Sequence, residues 1–335
     1  MKNLILAIES SCDDSSIAII NKDNFDCVFY EKISQDLNHN AYGGVVPELA
    51  ARLHSEALPN ILSKTKPFFD KLCAIAVTNE PGLSVSLLSG VSMAKTLALS
   101  LNLPLLAINH LKGHIYSLFL KEKIRTELGI LLVSGGHTMV LFIDKNKNIK
   151  ILANTMDDSF GESFDKAAKM LNLGYPGGVA IQNLALKAKE KNIKFPIPLK
   201  HSKELNYSFS GLKNAFRVKI LENEILDESL KAELAFGFEE AACLHILDKL
   251  EKLFAIHKFK HFGVVGGASA NLKLRTLLAR LCEKYEASLS LAPLNFCADN
   301  ALMIARASVD AYENKEFASI KKDILSPRNE NFTRL

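Results

Sequence analysis

Two stretches of the chain share one pattern, and this repetition restricts the fold more than any other feature. Residues 4 to 20, LILAIESSCDDSSIAII, pass from an apolar segment through a turn of small and acidic residues into a second apolar segment rich in Ile. Residues 129 to 143, GILLVSGGHTMVLFI, do the same around Ser134, Gly135, Gly136 and His137. Each reads as strand, turn, strand. The parallel continues downstream: Ala74 to Thr78 predicts a strand leading through Pro81 and Gly82 to a helix, and Phe262 to Val265 predicts one leading through Gly266 and Gly267 to another. The chain reads as two halves of one plan. The charged run Lys121 to Glu127 lies between them, which predicts a first lobe over 1–126, a second over 127–299, and a C-terminal helix over 300–335 packing back on the first.

Apolar residues at helical spacing from Glu228 to Phe254, and from Asn271 to Glu286 behind an Asn able to cap, complete an alternation of strands and helices, the α/β class. Two such halves with glycine turns predict a ligand-binding cleft between lobes. With 335 residues, 48% of them hydrophobic, the chain can fill one large or two medium cores, which excludes a disordered protein. A net charge of +4 permits a nucleic-acid partner without demanding one. The six cysteines, Cys12, Cys27, Cys73, Cys243, Cys282 and Cys297, form no C-x-x-C pair. That argues for a reducing compartment and for each thiol as a small buried residue. The apolar run Leu4 to Ile8 is far shorter than a signal-peptide core, and no uninterrupted apolar stretch approaches the roughly 20 residues of a membrane span. The expectation is a cytoplasmic protein with no membrane contact.

Several short motifs carry chemistry. His110 and His114 follow a strand-like segment four residues apart, so on a helix both imidazoles point one way and can share a metal; the alternative is a satisfied surface pair. Asp299, ahead of the apolar helix from Ala301 to Ala307, is the best third ligand, or else a helix cap. Leu111 stands where a zinc peptidase of the H-E-x-x-H type needs its Glu, so a peptidase reading lacks its general base. The turn at Ser134, Gly135 and Gly136 offers backbone N–H groups to an anion, or is a plain hairpin turn. Gly266 to Asn271 lets a base or phosphate approach a helix N-terminus, or serves close helix packing. Asp13 and Asp14 are acceptors for a metal-bound phosphate or an attacking group, or exposed turn acids. Asp165 suits a ribose, and the turn Tyr175 to Gly178 a close backbone approach, though a plain helix residue and a simple turn account for them too. Basic residues gather at Lys187, Lys189, Lys191, Lys194, Lys200 and Lys203, and at Lys213, Arg217 and Lys219 near Tyr207, Phe209 and Phe216, a phosphate-binding surface or an ordinary solvated face.

Taken in order, ESSCDDSS (9–16), YGGVVPELAARLH (42–54), PGLSVSLLSG (81–90), HLKGH (110–114), LVSGGHT (132–138), GESFDKAAKMLNLGYPGG (161–178), SFSGLK (208–213), GGASAN (266–271) and CADNALMIA (297–305) resemble the tRNA N6-adenosine threonylcarbamoyltransferase family over essentially the whole chain. The resemblance implies a two-lobed actin-like ATPase fold, shared with sugar kinases and Hsp70. It implies transfer of the threonylcarbamoyl group from threonylcarbamoyl-AMP to N6 of the adenosine 3′ of the anticodon in tRNAs reading ANN codons, releasing AMP. His110, His114 and Asp299 match the family's metal ligands, with iron (Fe2+) favoured and zinc as the alternative. Leu132, Val133, Ser134, Gly135, Gly136, Asp165, Gly178 and Asn271 match its adenylate-binding positions, and Asp13 is the candidate catalytic residue. Implied partners are tRNA, an inert paralogue (TsaB) and a P-loop ATPase (TsaE). Asp14 and Gln182 depart from the family pattern, where Glu and Asp are frequent. A non-catalytic nucleotide-binding protein of the same fold and a metallopeptidase are the competing readings.

Overall fold

In the computed structural model, which describes residues 2–328 and 332–335, β1 (Leu4–Glu9) consists of six buried residues, as a central strand covered on both faces requires. It pairs antiparallel with β2 (Asp14–Asn21), and β2 pairs antiparallel with β3 (Cys27–Ser34). On its other side β1 pairs parallel with β4 (Leu72–Glu80), and β4 parallel with β5 (Leu105–Asn109). The second sheet repeats the scheme. β6 (Leu128–Val133) is antiparallel to β7 (Thr138–Ile143), which continues antiparallel to β8 (Ile149–Asn154). β9 (His261–Val265) and β10 (Ser288–Leu291) extend it in parallel from β6. The orders β5-β4-β1-β2-β3 and β10-β9-β6-β7-β8 are therefore one topology used twice, and a two-residue edge strand, β11 (Phe317–Ala318), is added to the first.

α1 (Asp36–Asn40) and α2 (Pro47–Lys64) join β3 to β4, α3 (Ser84–Leu101) joins β4 to β5, and α4 (His110–Tyr116) follows β5. α5 (Phe160–Met170), α6 (Gly177–Ala185), α7 (Ser210–Leu221) and α8 (Glu228–His257) lie between β8 and β9. α9 (Leu272–Lys284) joins β9 to β10, and α10 (Ala301–Glu313) comes last. The chain divides into two compact units, Met1–Ile124 with Asp299–Thr333 and Leu335, and Arg125–Ala298 with Arg334. In the first, Leu6, Ile8, Ile17 and Val77 of the sheet bury against Val91 and Ala94 of α3 and Leu58 and Ile61 of α2. In the second, Leu131 and Val140 meet Phe160, Phe164, Phe238 and Phe254.

Two expectations need correction. α10 ends at Glu313, well short of 335: the Asn314 N–H returns to Asp310 O and Tyr312 O, and Lys315 takes a left-handed φ of 60°, which stops the helix. Residues 329–331 of the expected helix lie outside the described residues. Cys27 is exposed, because it starts β3 at the edge of its sheet, whereas Cys73, Cys243, Cys282 and Cys297 are buried and all six thiols are free. Ser84–Leu101 is a helix long and apolar enough, by length and composition alone, to cross a membrane. Its serines break the apolar run in sequence, and packing accounts for its apolarity, since Leu87, Val91, Ala94, Leu97 and Ala98 are buried on one side.

β9 delivers the chain to Gly266 at φ +93°, where a Cβ would lie 2.2 Å from the Val133 carbonyl oxygen of β6. At Gly136 a Cβ would meet nothing within 4 Å. Gly266→Ala is expected to lower the unfolding free energy by about 2 kcal/mol or more, and Gly136→Ala to change it by no more than about 0.5 kcal/mol. Urea denaturation of the two variants checks this, and equal stabilities would contradict it.

Candidate functional site

The side chain of Asn109, the last residue of β5, accepts the N–H groups of Leu111 and Lys112 and so starts α4 at His110. His110 and His114 then sit one turn apart, both buried, with ring centroids 4.6 Å apart. α10 crosses close to α4 at Gly113, where a Cβ would lie 2.6 Å from Ile304 Cδ1. The cap of α10 is Asn300, whose side chain accepts the Met303 N–H, and the Ala301 N–H donates to Ser16 Oγ at 3.1 Å. Asp299 is thereby excused from capping. Its Oδ1 lies 3.3 Å from His110 Nε2 and 3.2 Å from His114 Nε2. One ligand atom from each of His110, His114 and Asp299 lies within 4.8 Å of the others, a group that could hold a metal ion.

The donors fit such an ion. Neither ring nitrogen of the buried His114 has a hydrogen-bond partner, so its Nε2 faces Asp299 without the alignment of a hydrogen bond. A buried nitrogen left this way is costly unless a cation takes its lone pair. His110 Nδ1 lies 3.2 Å from Glu9 Oε2 and 3.1 Å from Ser11 Oγ. Glu9 is itself fixed by the Ser11 N–H at 2.6 Å and by the Thr78 hydroxyl. A proton on Nδ1 donated to Glu9 leaves Nε2 as the ligand atom, an arrangement common around metal-bound histidines. Burial opposes charge on His110, but Asp299 and Glu9 outweigh it and hold the imidazole well above its usual range. Burial likewise opposes ionised Asp299, yet the two histidines keep it well below the usual carboxylate range. Burial pushes His114 down. His110 would have to lose its proton to ligate a metal, so metal affinity would rise with pH. Two imidazoles and one carboxylate suit Fe2+ or Zn2+. Asp299 keeps 22% side-chain exposure, which leaves the group reachable.

The adjoining acids are not exposed turn residues. Asp14 pairs with Lys32 at 2.5 Å, and the same Nζ donates to the Asp299 carbonyl at 3.0 Å. Burial, with Asp299 and Asp13 near, outweighs Lys32 and pushes Asp14 up to about 7. Asp13 is 8% exposed, and burial raises it too.

The second unit holds the remaining candidates. Leu132 and Val133 end β6, fully buried, and the chain turns at Ser134, whose Oγ accepts the His137 N–H at 3.0 Å. The turn is braced from behind: the Gly161 N–H donates to Ser134 O at 3.2 Å, Ser159 Oγ donates to Gly135 O at 2.6 Å, and a Cβ at Gly161 would lie 2.4 Å from Ser134 O. Gly135, Gly136 and Gly178, by contrast, face open space. Asp165 Oδ1 accepts the Gly177 N–H at 2.8 Å and so anchors the start of α6. Gln182 Oε1 accepts the Leu272 N–H at 2.8 Å, which joins α6 to α9. Asn271 caps α9 through the Leu274 N–H and donates to Glu239 Oε1 at 2.7 Å. Gln182 and Glu239 thus belong to the same frame. Sequence reading passed over Glu239, and also Glu9, although a lone carboxylate closing a wholly apolar strand was a visible signal.

The basic cluster divides. Tyr207, Phe209 and Phe216 are fully buried and offer no stacking surface, and Asp158 binds Lys213 at 2.5 Å and Lys166 at 2.6 Å. Lys187, Lys189, Lys191, Lys194, Lys200 and Lys203 are exposed.

Asp299→Ala is expected to abolish tight binding of Zn2+ or Fe2+, because two imidazoles alone remain, while Asp165→Ala, which removes none of the three ligands, keeps full metal content. Metal analysis after dialysis, done anaerobically for iron, checks this; full occupancy in Asp299→Ala would refute the ligand set.

Known proteins resemble the chain along its length. The family model described as TsaD, tRNA N6-adenosine threonylcarbamoyltransferase, matches residues 28–306. A protein of that name from Campylobacter jejuni subsp. jejuni strain 81-176 is 72% identical over the full length of both chains. One from Campylobacter fetus subsp. fetus is 56% identical over 97% of both. Among solved structures, the activator of the 2-hydroxyisocaproyl-CoA dehydratase from Clostridium difficile, with bound ADPNP, is 16% identical at a TM-score of 0.55, covering 96% of this chain and 100% of its own. HypF from T. kodakarensis is 12% identical at a TM-score of 0.63, covering 97% of this chain and 49% of its own. These two share only the fold, that of the actin-like ATPases. By the model match and the identity to its relatives, the chain belongs to the tRNA N6-adenosine threonylcarbamoyltransferase family.

Proposed function

We propose that the protein transfers the threonylcarbamoyl group of threonylcarbamoyl-AMP to N6 of the adenosine 3′ of the anticodon in tRNAs reading ANN codons. The observation that carries this reading is the convergence of His110, His114 and Asp299, with the orphaned His114 nitrogen, in a chain of this family. The exocyclic amine attacks the carbamoyl carbon, a C–N bond forms, the mixed-anhydride C–O bond breaks, and AMP leaves with the electron pair. An adenine amine is a weak nucleophile, so positioning and charge stabilisation carry the rate. Asp13, buried and raised above its usual range, orients the amine and takes its proton. The open backbone at Gly135 and Gly136, with Leu132, Val133 and Ser134, receives the adenylate phosphate; Asp165, Gly178 and Asn271 frame its nucleoside. A metal held by His110, His114 and Asp299, iron in preference to zinc, supplies a Lewis acid for the reacting carbonyl or phosphate oxygens.

The reaction places the protein in the cytoplasm, where tRNA is found. The inert paralogue TsaB docks on α2 and α3, where Val85, Leu88 and Leu99 are exposed apolar residues, and the P-loop ATPase TsaE completes the assembly. The peptidase reading lacks a Glu after His110, and a purely regulatory role leaves the metal ligands without a task.

Incubating the protein with TsaB, TsaE, tRNA and threonylcarbamoyl-AMP is expected to yield modified adenosine and AMP in equal amounts, and Asp165→Ala to weaken adenylate binding. Nucleotide binding without modified adenosine would favour the regulatory reading, and peptide hydrolysis alone the peptidase.

For tRNA, the exposed lysines between 187 and 203 are better placed than Lys213. α8 holds that segment in shape: Lys249 Nζ donates to Leu199 O at 2.8 Å and Lys252 Nζ to Ser202 O at 3.2 Å. Replacing Lys189, Lys194 and Lys200 with Gln is expected to weaken tRNA binding and to flatten its salt dependence by about 0.7–0.9 in log–log slope for each phosphate no longer neutralised. An unchanged slope in filter binding across salt concentrations would make these residues ordinary surface.

A further inference from the structure

A buried polar chain in the first unit contains none of the metal ligands, and the directions of its hydrogen bonds are set by a backbone donor at one end and a backbone acceptor at the other. The Val46 N–H donates to His39 Nδ1 at 3.2 Å. A backbone amide can only donate, so this nitrogen accepts and the ring proton sits on Nε2. His39 Nε2–H therefore donates to Gln35 Oε1 at 3.1 Å. With its oxygen so assigned, the Gln35 NH2 donates to Ala50 O at 3.5 Å and lies 3.4 Å from His54 Nδ1. Ser15 Oγ donates to the same His54 nitrogen at 2.7 Å. The Cys12 carbonyl can only accept, so His54 carries its proton on Nε2 and donates it there at 2.9 Å, which leaves the Nδ1 lone pair for the Ser15 hydroxyl. Ser15, His39 and His54 are fully buried and Gln35 is 2% exposed.

The Cys12 carbonyl belongs to the peptide plane that leads into Asp13. Burying two imidazoles and an amide costs desolvation that apolar side chains of similar volume would avoid, so the network is better explained by the geometry it imposes than by stability. We propose that His54 is a positioning residue for Asp13: its Nε2–H fixes the Cys12–Asp13 peptide plane, and with it the direction in which the Asp13 carboxyl meets the amine. This rests on the role given to Asp13 under Proposed function. The relay also ties the 40–46 segment, where Gly43 and Gly44 take φ of 64° and 155°, to the same turn through Val46.

Two substitutions separate the bonds of His54. His54→Asn places an amide near the Nδ1 position, keeps Ser15 and Gln35 as partners, and cannot reach the Cys12 carbonyl. His54→Gln reaches the Nε2 position and keeps that donor. In the transfer assay with TsaB, TsaE, tRNA and threonylcarbamoyl-AMP, His54→Asn is expected to lower kcat about 100-fold, the scale of a misplaced reacting group. KM for both substrates, metal content and the thermal unfolding midpoint stay near wild type, and His54→Gln restores most of kcat. If His54→Asn does not unfold cooperatively, His54→Leu, apolar and of similar size, takes its place. Equal losses in the Asn and Gln variants, or a loss of kcat that tracks metal content or thermal stability, would make His54 a structural residue and overturn the proposal. Asp13→Asn, assayed alongside, distinguishes the failures. Full activity there removes Asp13 from the chemistry and the proposal with it, whereas low activity there beside a fully active His54→Asn overturns the positioning role alone.

Discussion

The close crossing of α10 over α4 at Gly113 is the contact on which the metal group depends. His110 and His114 are brought together by a helix turn, but Asp299 stands on the far side of the second unit in sequence and reaches them through α10, which packs on α4 where residue 113 lacks a side chain. Any Cβ there would press on Ile304, and since Asp299 precedes α10 by two residues, a shift of the helix would carry the carboxylate away from both imidazoles. The Ala301 N–H to Ser16 Oγ bond fixes the same end of α10 to β2, so the carboxylate is held from two directions.

Helix capping by neutral side chains leaves the charged ones for chemistry. Asn109 starts α4, Asn300 starts α10 and Asn271 starts α9, so neither His110 nor Asp299 is spent on an orphan backbone N–H. The charges that remain are buried, and burial is tolerable only because they answer one another: Glu9 and Asp299 on either side of His110, Lys32 against Asp14. Removing one member leaves another uncompensated, which makes the cluster sensitive to single substitutions. In the second unit the glycines divide in the same spirit. Gly161 and Gly266 are small because backbone lies against them, whereas Gly135 and Gly136 have open space where a side chain would stand.

Much of this was legible in the chain. The two strand–turn–strand segments became β1–β2 and β6–β7, the centres of two sheets with the same strand order, because alternation of apolar runs and turn residues is a local property that survives folding. The cap at Asn271 and the extent of α8 were local too, whereas the end of α10 depended on a backbone turn at Lys315 that no side-chain pattern announced. Tyr207, Phe209 and Phe216 looked available beside their lysines, but sequence proximity does not say which face of a segment a core will claim.

The sequence by itself determined the fold class, the duplicated plan, the family and the identity of the candidate ligands, since each is written in residue types and short spacings. Only the tertiary structure decided that Asn300 caps α10 while Asp299 faces the histidines, that Glu9 holds His110 Nδ1, that Gln182 braces α9, and that His39, Gln35 and His54 form one directional chain. These are contacts between residues far apart in sequence. Their existence depends on packing distances of a few ångströms and on the direction of individual N–H groups, neither of which a one-dimensional pattern specifies.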